Sequence, residues 1–253
     1  MINLSFLICT YNSAKNLPSC LHAITSQNNL KDLGVEIIVV DYNSIDNTRM
    51  IVEEFQKSAK HLDVKFLKCD LPGKTPALLM GFERASGEAI CVVDDDNIVF
   101  PEYASSVHKL LQLYPQVGCL GSRGFAIIEG EASDAPAWFD EFSGMFAVGA
   151  QNKPGLSEKR EDVVWGACSV IRRCAWSALV REGFNPFLNP SRDSNSHRFS
   201  DGFLGGEDAE VSYALVLAGY KLMFSNELKY YHKISRQRLT QSFVLDSISG
   251  VAA

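Results

Sequence analysis

Apolar residues in the first hundred positions come in short, dense runs separated by amphipathic stretches. Residues 4–9, 35–41, 64–69 and 89–93 are rich in Val, Ile, Leu and Phe and are bounded by polar residues. Runs of that length with little alternation suit strands covered on both faces, as in parallel sheets. Between them, residues 15–27, 47–61 and 76–86 read as helices. Asp46 is placed to cap the second, whose Met50, Ile51 and Phe55 share one side. Thr75 is placed to cap the third, with Pro76 at its first position. Strand, helix, strand, helix predicts an α/β fold: a mostly parallel, doubly wound central sheet with helices on both faces.

From about residue 125 the alternation fades. Residues 129–162 are acidic and irregular, with Trp138, Phe139, Phe142 and Phe146 among them, and residues 185–203 read as a long polar loop. A helix is clear again over 207–217, closed by Gly219 and followed by a strand over 221–224. No internal repeat or low-complexity linker divides the chain. The expectation is one domain over 1–253, with a binding half at 1–125, a specialised half at 126–240 and a tail at 241–253.

In open α/β sheets the ligand lies beyond the carboxyl ends of the strands. Here the first strand ends in Thr10-Tyr11-Asn12, the second in Asp41-Tyr42-Asn43-Ser44 and the fourth in Asp94-Asp95-Asp96-Asn97. Three adjacent carboxylates repel one another unless something neutralises them, and a hard cation such as Mg²⁺ or Mn²⁺ does so while sharing its other positions with water and phosphates. The blander alternative is a solvated acidic turn that caps the next helix. Asp41 reads either as a turn acid or as an acceptor for a base N–H or a sugar hydroxyl. Tyr11 reads as an edge aromatic or a surface for stacking a base. Gly205-Gly206-Glu207-Asp208 opens a helix, where acids suit the dipole, but a carboxylate there could also take a proton from an attacking hydroxyl.

Composition narrows the classes. Apolar residues make up 46% and charged residues 21%, ordinary for a globular protein. A net charge of −6 and a pI near 5.4 give no basic footprint for nucleic acid. No run has the length of a membrane span, and the first residues lack a basic leader. The seven cysteines form no CxxC, and Cys9, Cys91 and Cys119 sit in apolar runs as reduced thiols would. The expected location is the cytoplasm, free or at the inner face of a membrane.

Taken in order, these segments resemble the family-2 glycosyltransferases, inverting enzymes of the GT-A, Rossmann-like type. Thr10-Tyr11-Asn12 resembles the family's opening strand end, and Val39-Val40-Asp41-Tyr42-Asn43-Ser44 its VVDDGS-type segment. Gly73-Lys74-Thr75-Pro76-Ala77-Leu78, Gly81 and Ala85-Ser86-Gly87-Glu88 are similar to the run before the DxD strand. Asp94-Asp95-Asp96 matches the DxD, and Gly206-Glu207-Asp208 with Gly219-Tyr220 the (G)ED helix. The likeness runs from about Leu4 to Arg238. It departs at Tyr42 and Asn43, where the family carries Asp and Gly, and it lacks the Q-x-x-R-W motif of processive synthases: Gln237-Arg238-Leu239 has no tryptophan.

The resemblance implies a nucleotide-diphosphate sugar donor bound by residues 1–125, a glycan or lipid-linked acceptor met by residues 126–240, and Mn²⁺ or Mg²⁺ as cofactor. Thr10, Tyr11, Asn12, Asp41 and Lys74 would line the nucleotide side, with Asp94 and Asp95 toward the donor. Asp96 and His232 would hold the metal, and Asp208 would be the base. Trp165, Gly206 and Glu207 would lie on the acceptor side. Three rivals remain in view. A sugar-nucleotidyltransferase needs a glycine-rich loop after the first strand, and residues 9–15 contain no glycine. A phosphohydrolase with an aspartyl nucleophile places its acid pair on the first strand. A non-catalytic sugar-nucleotide-binding module would keep Asp41 and Asp96 without needing Asp208.

Overall fold

The computed structural model describes residues 3–71, 73–130, 135–157, 159, 161–186 and 206–245. Nine strands form one sheet: β1 (Leu4–Thr10), β2 (Val35–Asp41), β3 (Asp63–Lys68), β4 (Ala89–Val92), β5 (Asn97–Val99), β6 (Val117–Ile128), β7 (Gly155–Ser157), β8 (Val170–Arg172) and β9 (Lys221–Ile234). Their order is β3-β2-β1-β4-β8-β6-β9-β5, with β7 pairing on β9. From β3 to β4 every pairing is parallel. Beyond β4 the sheet is mixed: β8 runs antiparallel to β4 and β6, β9 is parallel to β6, and β5 and β7 are antiparallel to β9. The mostly parallel sheet expected from the alternation therefore describes the first half, and the whole is mixed. The place where alternation fades in the sequence marks the change.

Helices cover both faces. On one lie α1 (Leu17–Thr25), α2 (Leu30–Leu33), α3 (Thr48–Ser58) and α5 (Tyr103–Leu113); on the other lie α4 (Lys74–Arg84), α6 (Arg173–Arg181) and α7 (Glu207–Leu217). The period of two sorts each central strand between two cores. Phe6, Ile8, Ile37, Val39 and Cys91 face the first set, while Leu7, Cys9, Ile38, Val40 and Ile90 face the second. β1 and β2 are buried along their whole length, as continuous apolar runs require, but β3 is an edge strand and only half-buried. Gly81 is what lets α4 close on β1: a Cβ there would stand 2.2 Å from a Leu7 methyl.

Some boundaries differ from the sequence expectation. α4 starts at Lys74 with Gly73 as its cap, so Thr75 is a buried first-turn residue and Pro76 lies at the third position. The N-cap of α3 is Asn47 rather than Asp46, which lies one residue earlier and accepts the Thr48 N–H at 3.0 Å. The strand expected over 221–224 runs on to Ile234. The loop expected over 185–203 lies, from residue 187 on, outside the described residues, as does the tail beyond residue 245. The cysteines are free, and all but Cys174 are buried. A smaller third core joins Trp138, Phe139, Phe142 and Phe146 to Ile234, Phe243 and Val244.

Candidate active site

β4 delivers its chain to a turn at the carboxyl end of the sheet. There Asn97 N–H bonds back to the Asp94 carbonyl at 2.9 Å, and β5 begins. The three carboxylates stand on this turn, each with a different partner. Asp94 ion-pairs with Lys74 from the first turn of α4. Asp95 accepts the Thr10 hydroxyl at 2.7 Å, at the end of β1. Asp96 meets His232, because the β5–β9 register sets Asn97 opposite His232 and ties Lys233 N–H to the Asp96 carbonyl at 3.0 Å. His232 Nε2 lies 3.3 Å from Asp96 Oδ2. Two residues far apart in sequence are thus brought together by one strand pairing.

The electrostatics differ along the triplet. Burial, with repulsion from Asp96 and Asp94, pushes the Asp95 carboxyl up to about 7 despite its hydrogen bond from Thr10. At Asp96 burial acts the same way, but His232, Arg238 and Lys74 outweigh it and hold the group below its ordinary value. Burial works against the Lys74 charge, yet Asp94 and Glu207 more than offset it and raise its pKa. Burial raises the Glu207 carboxyl, with Asp208 adding to the shift and Lys74 opposing it.

At the end of β2, buried Asp41 accepts the Ser44 N–H at 3.0 Å and its hydroxyl at 2.5 Å. Asn43, standing where the family carries glycine, adopts φ 72°, a left-handed conformation that Asn tolerates better than most residues. The departure from glycine keeps the turn. Tyr42, the other departure, stacks on Tyr11 with ring centroids 5.4 Å apart. Asn12 is exposed, and its amide oxygen accepts Ile45 N–H at 2.8 Å, so it ties two loops together at this edge.

Across the cleft, α7 begins after Gly206, whose φ of 141° suits only glycine. Glu207 turns back to the Gly206 N–H at 3.2 Å. Asp208 accepts Gly166 N–H at 3.1 Å on one oxygen and Ala209 N–H at 2.8 Å on the other. Trp165, next to Gly166, is half-buried; its N–H donates to Gln151 at 2.8 Å and its ring lies over Gly144. Lys74, Glu207 and Asp208 rim a pocket floored by Leu78, Phe82 and Val211.

The donor set fits a hard divalent cation. His232 Nδ1–H donates to the Phe146 carbonyl at 2.6 Å, which turns Nε2 toward Asp96 Oδ2. No group of three or more His, Cys, Asp or Glu side chains suited to a metal occurs among the described residues. Two protein donors with room for water and phosphate oxygens are what Mg²⁺ or Mn²⁺ uses at nucleotide sites.

Comparison with known proteins gives the family and the fold. A model of the family described as Glycosyl transferase family 2 matches residues 5–176. The chain belongs to that family. Glycosyltransferase AglE of Haloferax volcanii is 34% identical over 92 residues, 36% of this chain and 30% of AglE. The poly-beta-1,6-N-acetyl-D-glucosamine synthase of Staphylococcus epidermidis is 33% identical over 97 residues, 38% of this chain and 22% of the synthase. The matched stretch is thus less than a third of either relative. Among solved structures, the Pyrobaculum calidifontis mannosyltransferase PcManGT, in complex with GDP-Man and Mn²⁺, has a TM-score of 0.61 at 17% identity, covering 91% of this chain and 56% of that one. GalNAc-T7 with UDP, GalNAc and Mn²⁺ reaches 0.67 at 16% identity, covering 92% and 44%. The fold of this family-2 glycosyltransferase is GT-A, and no helix among the described residues is long and apolar enough to cross a membrane.

One residue at this candidate site escaped the sequence reading. Arg238, just past β9 on a three-ten turn (Arg236–Arg238), places Nη1 3.3 Å from His232 Nε2 and 3.6 Å from Asp96 Oδ2. In the sequence it stands out only by its absent tryptophan neighbour. Its distance of six residues from His232 carries no periodic signal, because the chain leaves the strand between them.

Proposed function

We propose that the chain transfers a sugar from a nucleotide-diphosphate donor to a hydroxyl of a glycan or lipid-linked acceptor, with inversion at the anomeric carbon. Residues 1–125 form the nucleotide side of this site and residues 126–240 the acceptor side. The observation that carries the reading is Lys74. It ion-pairs with Asp94 and shares the pocket rim with Glu207 and Asp208, so the strand-end acids and the acids of α7 face one cleft. The solved relatives that hold GDP-Man or UDP with Mn²⁺ support a donor of the same class.

In this reading Asp41 and Thr10 flank the nucleotide, and the Tyr11–Tyr42 pair offers an aromatic face to the base. Asp96 and His232 hold Mn²⁺ or Mg²⁺, which when bound supplies Lewis-acid neutralisation of the departing diphosphate. Lys74 keeps Asp94 in place and adds positive charge beside that leaving group. On the opposite side Asp208 takes the proton of the acceptor hydroxyl as its oxygen attacks. The Gly166 and Ala209 N–H groups hold the carboxylate in one orientation for that transfer. Trp165 shapes the acceptor approach, and Glu207 acts as a second acid beside the base. No protein nucleophile is involved, so one displacement inverts the centre.

The test is Asp208→Asn, which keeps shape and helix-start preference but cannot accept the proton. Turnover is expected to fall by roughly 10²–10⁴-fold with donor affinity unchanged. Wild-type turnover in that variant would refute the assignment of the base.

A further inference from the structure

Asp96 Oδ2 and His232 Nε2 both face Arg238 Nη1, at 3.6 and 3.3 Å. The other ring nitrogen of His232 is committed to the Phe146 carbonyl, and Asp96 Oδ1 accepts Asn97 Nδ2–H at 3.1 Å. Neither atom can serve the guanidinium and a metal ion at once. A divalent ion bound at about 2.0–2.2 Å from both atoms therefore excludes the guanidinium from them. Arg238 is a cation that faces both atoms.

The guanidinium is also poorly held. Its Nε is buried with no hydrogen-bond partner among the described residues, and the two Nη1 contacts, at 3.3 and 3.6 Å, are long beside the 2.7–2.9 Å of a strong charge-assisted bond. What fixes it is packing: its head lies 5.2 Å from the Phe243 ring centre and 6.0 Å from that of Phe146. A planar fork with an unused donor has a better partner in a diphosphate than in a histidine ring nitrogen.

We infer that Arg238 is a built-in stand-in for the metal: it blocks Asp96 and His232 until a diphosphate draws the guanidinium away, and so couples metal binding to nucleotide binding. The inference rests on the reading of Asp96 and His232 as metal donors given above. By linkage, the nucleotide then raises metal affinity by the same factor as the metal raises nucleotide affinity. Without Arg238 the two donors are open from the start, metal alone binds better, and the coupling shrinks.

The experiment titrates the full chain with Mn²⁺, following the free ion by electron paramagnetic resonance, alone and with saturating UDP or GDP. It compares wild type with Arg238→Met, which keeps the packing on Phe146 and Phe243, with Arg238→Gln, which keeps polarity, and with Asp96→Asn. Wild type is expected to bind Mn²⁺ about tenfold or more tightly with nucleotide present. Both Arg238 variants should bind Mn²⁺ alone about tenfold more tightly than wild type, and their gain from nucleotide should fall to about twofold. If one variant fails to melt cooperatively, the other decides. Metal-only affinity that is unchanged or weaker in the folded Arg238 variants overturns the inference while the metal reading stands. Mn²⁺ binding that ignores Asp96→Asn in every condition overturns the metal reading itself.

Discussion

The sheet carries a buried acidic centre at each of its two ends, and they are built in opposite ways. At the amino end Glu36, on β2, has no exposed side-chain surface and is saturated with donors. Its Oε1 accepts the Ser5 hydroxyl at 2.5 Å, the Ser86 N–H at 2.6 Å and hydroxyl at 2.9 Å, and the Gly87 N–H at 3.2 Å; Lys65 takes Oε2 at 2.5 Å. At the carboxyl end Asp94, Asp95 and Asp96 stand side by side with few donors, and Asp95 is pushed up to about 7. A carboxylate that serves the fold brings its partners with it. The triplet is proposed to serve a ligand, which would complete its set of partners.

The contrast can be attacked from either end. The largest effect is expected at Glu36: Glu36→Ala strands Lys65 and four other donors and should cost about 3–5 kcal/mol of stability, read by urea unfolding. Nucleotide affinity of the folded protein should not change; a matching loss of affinity would show the two ends to be coupled. Next comes acidity. Burial raises the Glu36 carboxyl, but the bonds from Lys65, Ser5 and Ser86 outweigh it and leave it below its ordinary 4.5. Its contribution is complete above pH 4.5 and is lost as pH falls through the lower folded value. Glu36→Gln should therefore flatten the acid limb of a plot of melting temperature against pH; an unchanged limb would remove Glu36 from the account. The smallest effect is at Asp95. In chelator without nucleotide, Asp95→Asn removes a penalised charge and keeps an acceptor for Thr10, so stability should rise by about 1 kcal/mol. A fall, seen by calorimetry, would make Asp95 a structural acid like Glu36.

Much of this was legible in the sequence, for physical reasons. Runs such as 35–41 declare themselves because a strand buried on both faces tolerates few polar residues, and a carboxyl-end triplet in that setting has few uses. Glu36 was passed over within the same run, since one charged residue does not disturb an apolar average. The antiparallel pairings of β8 with β4 and β6 were also hidden: a three-residue strand has too few positions for its period to show direction. The start of α4 was misjudged because Pro76 suits the first helical position, whereas here the helix begins two residues earlier, at Lys74. Arg238 became visible only when the β5–β9 register was known.

That register also fixes when the site can exist. β9 is the last described strand, yet it lies between β6 and β5, and among the described residues β5 pairs with no other strand. The triplet turn thus has its downstream arm unpaired until the chain has been made through residue 234. Pairing across so long a sequence separation closes late, because the entropy of the intervening loop must be overcome first. On a ribosome the apolar first half can collapse early, while Asp96 waits for His232. The nascent chain therefore acquires its scaffold well before its candidate site is complete, and assembly of that cleft reports that synthesis has passed β9.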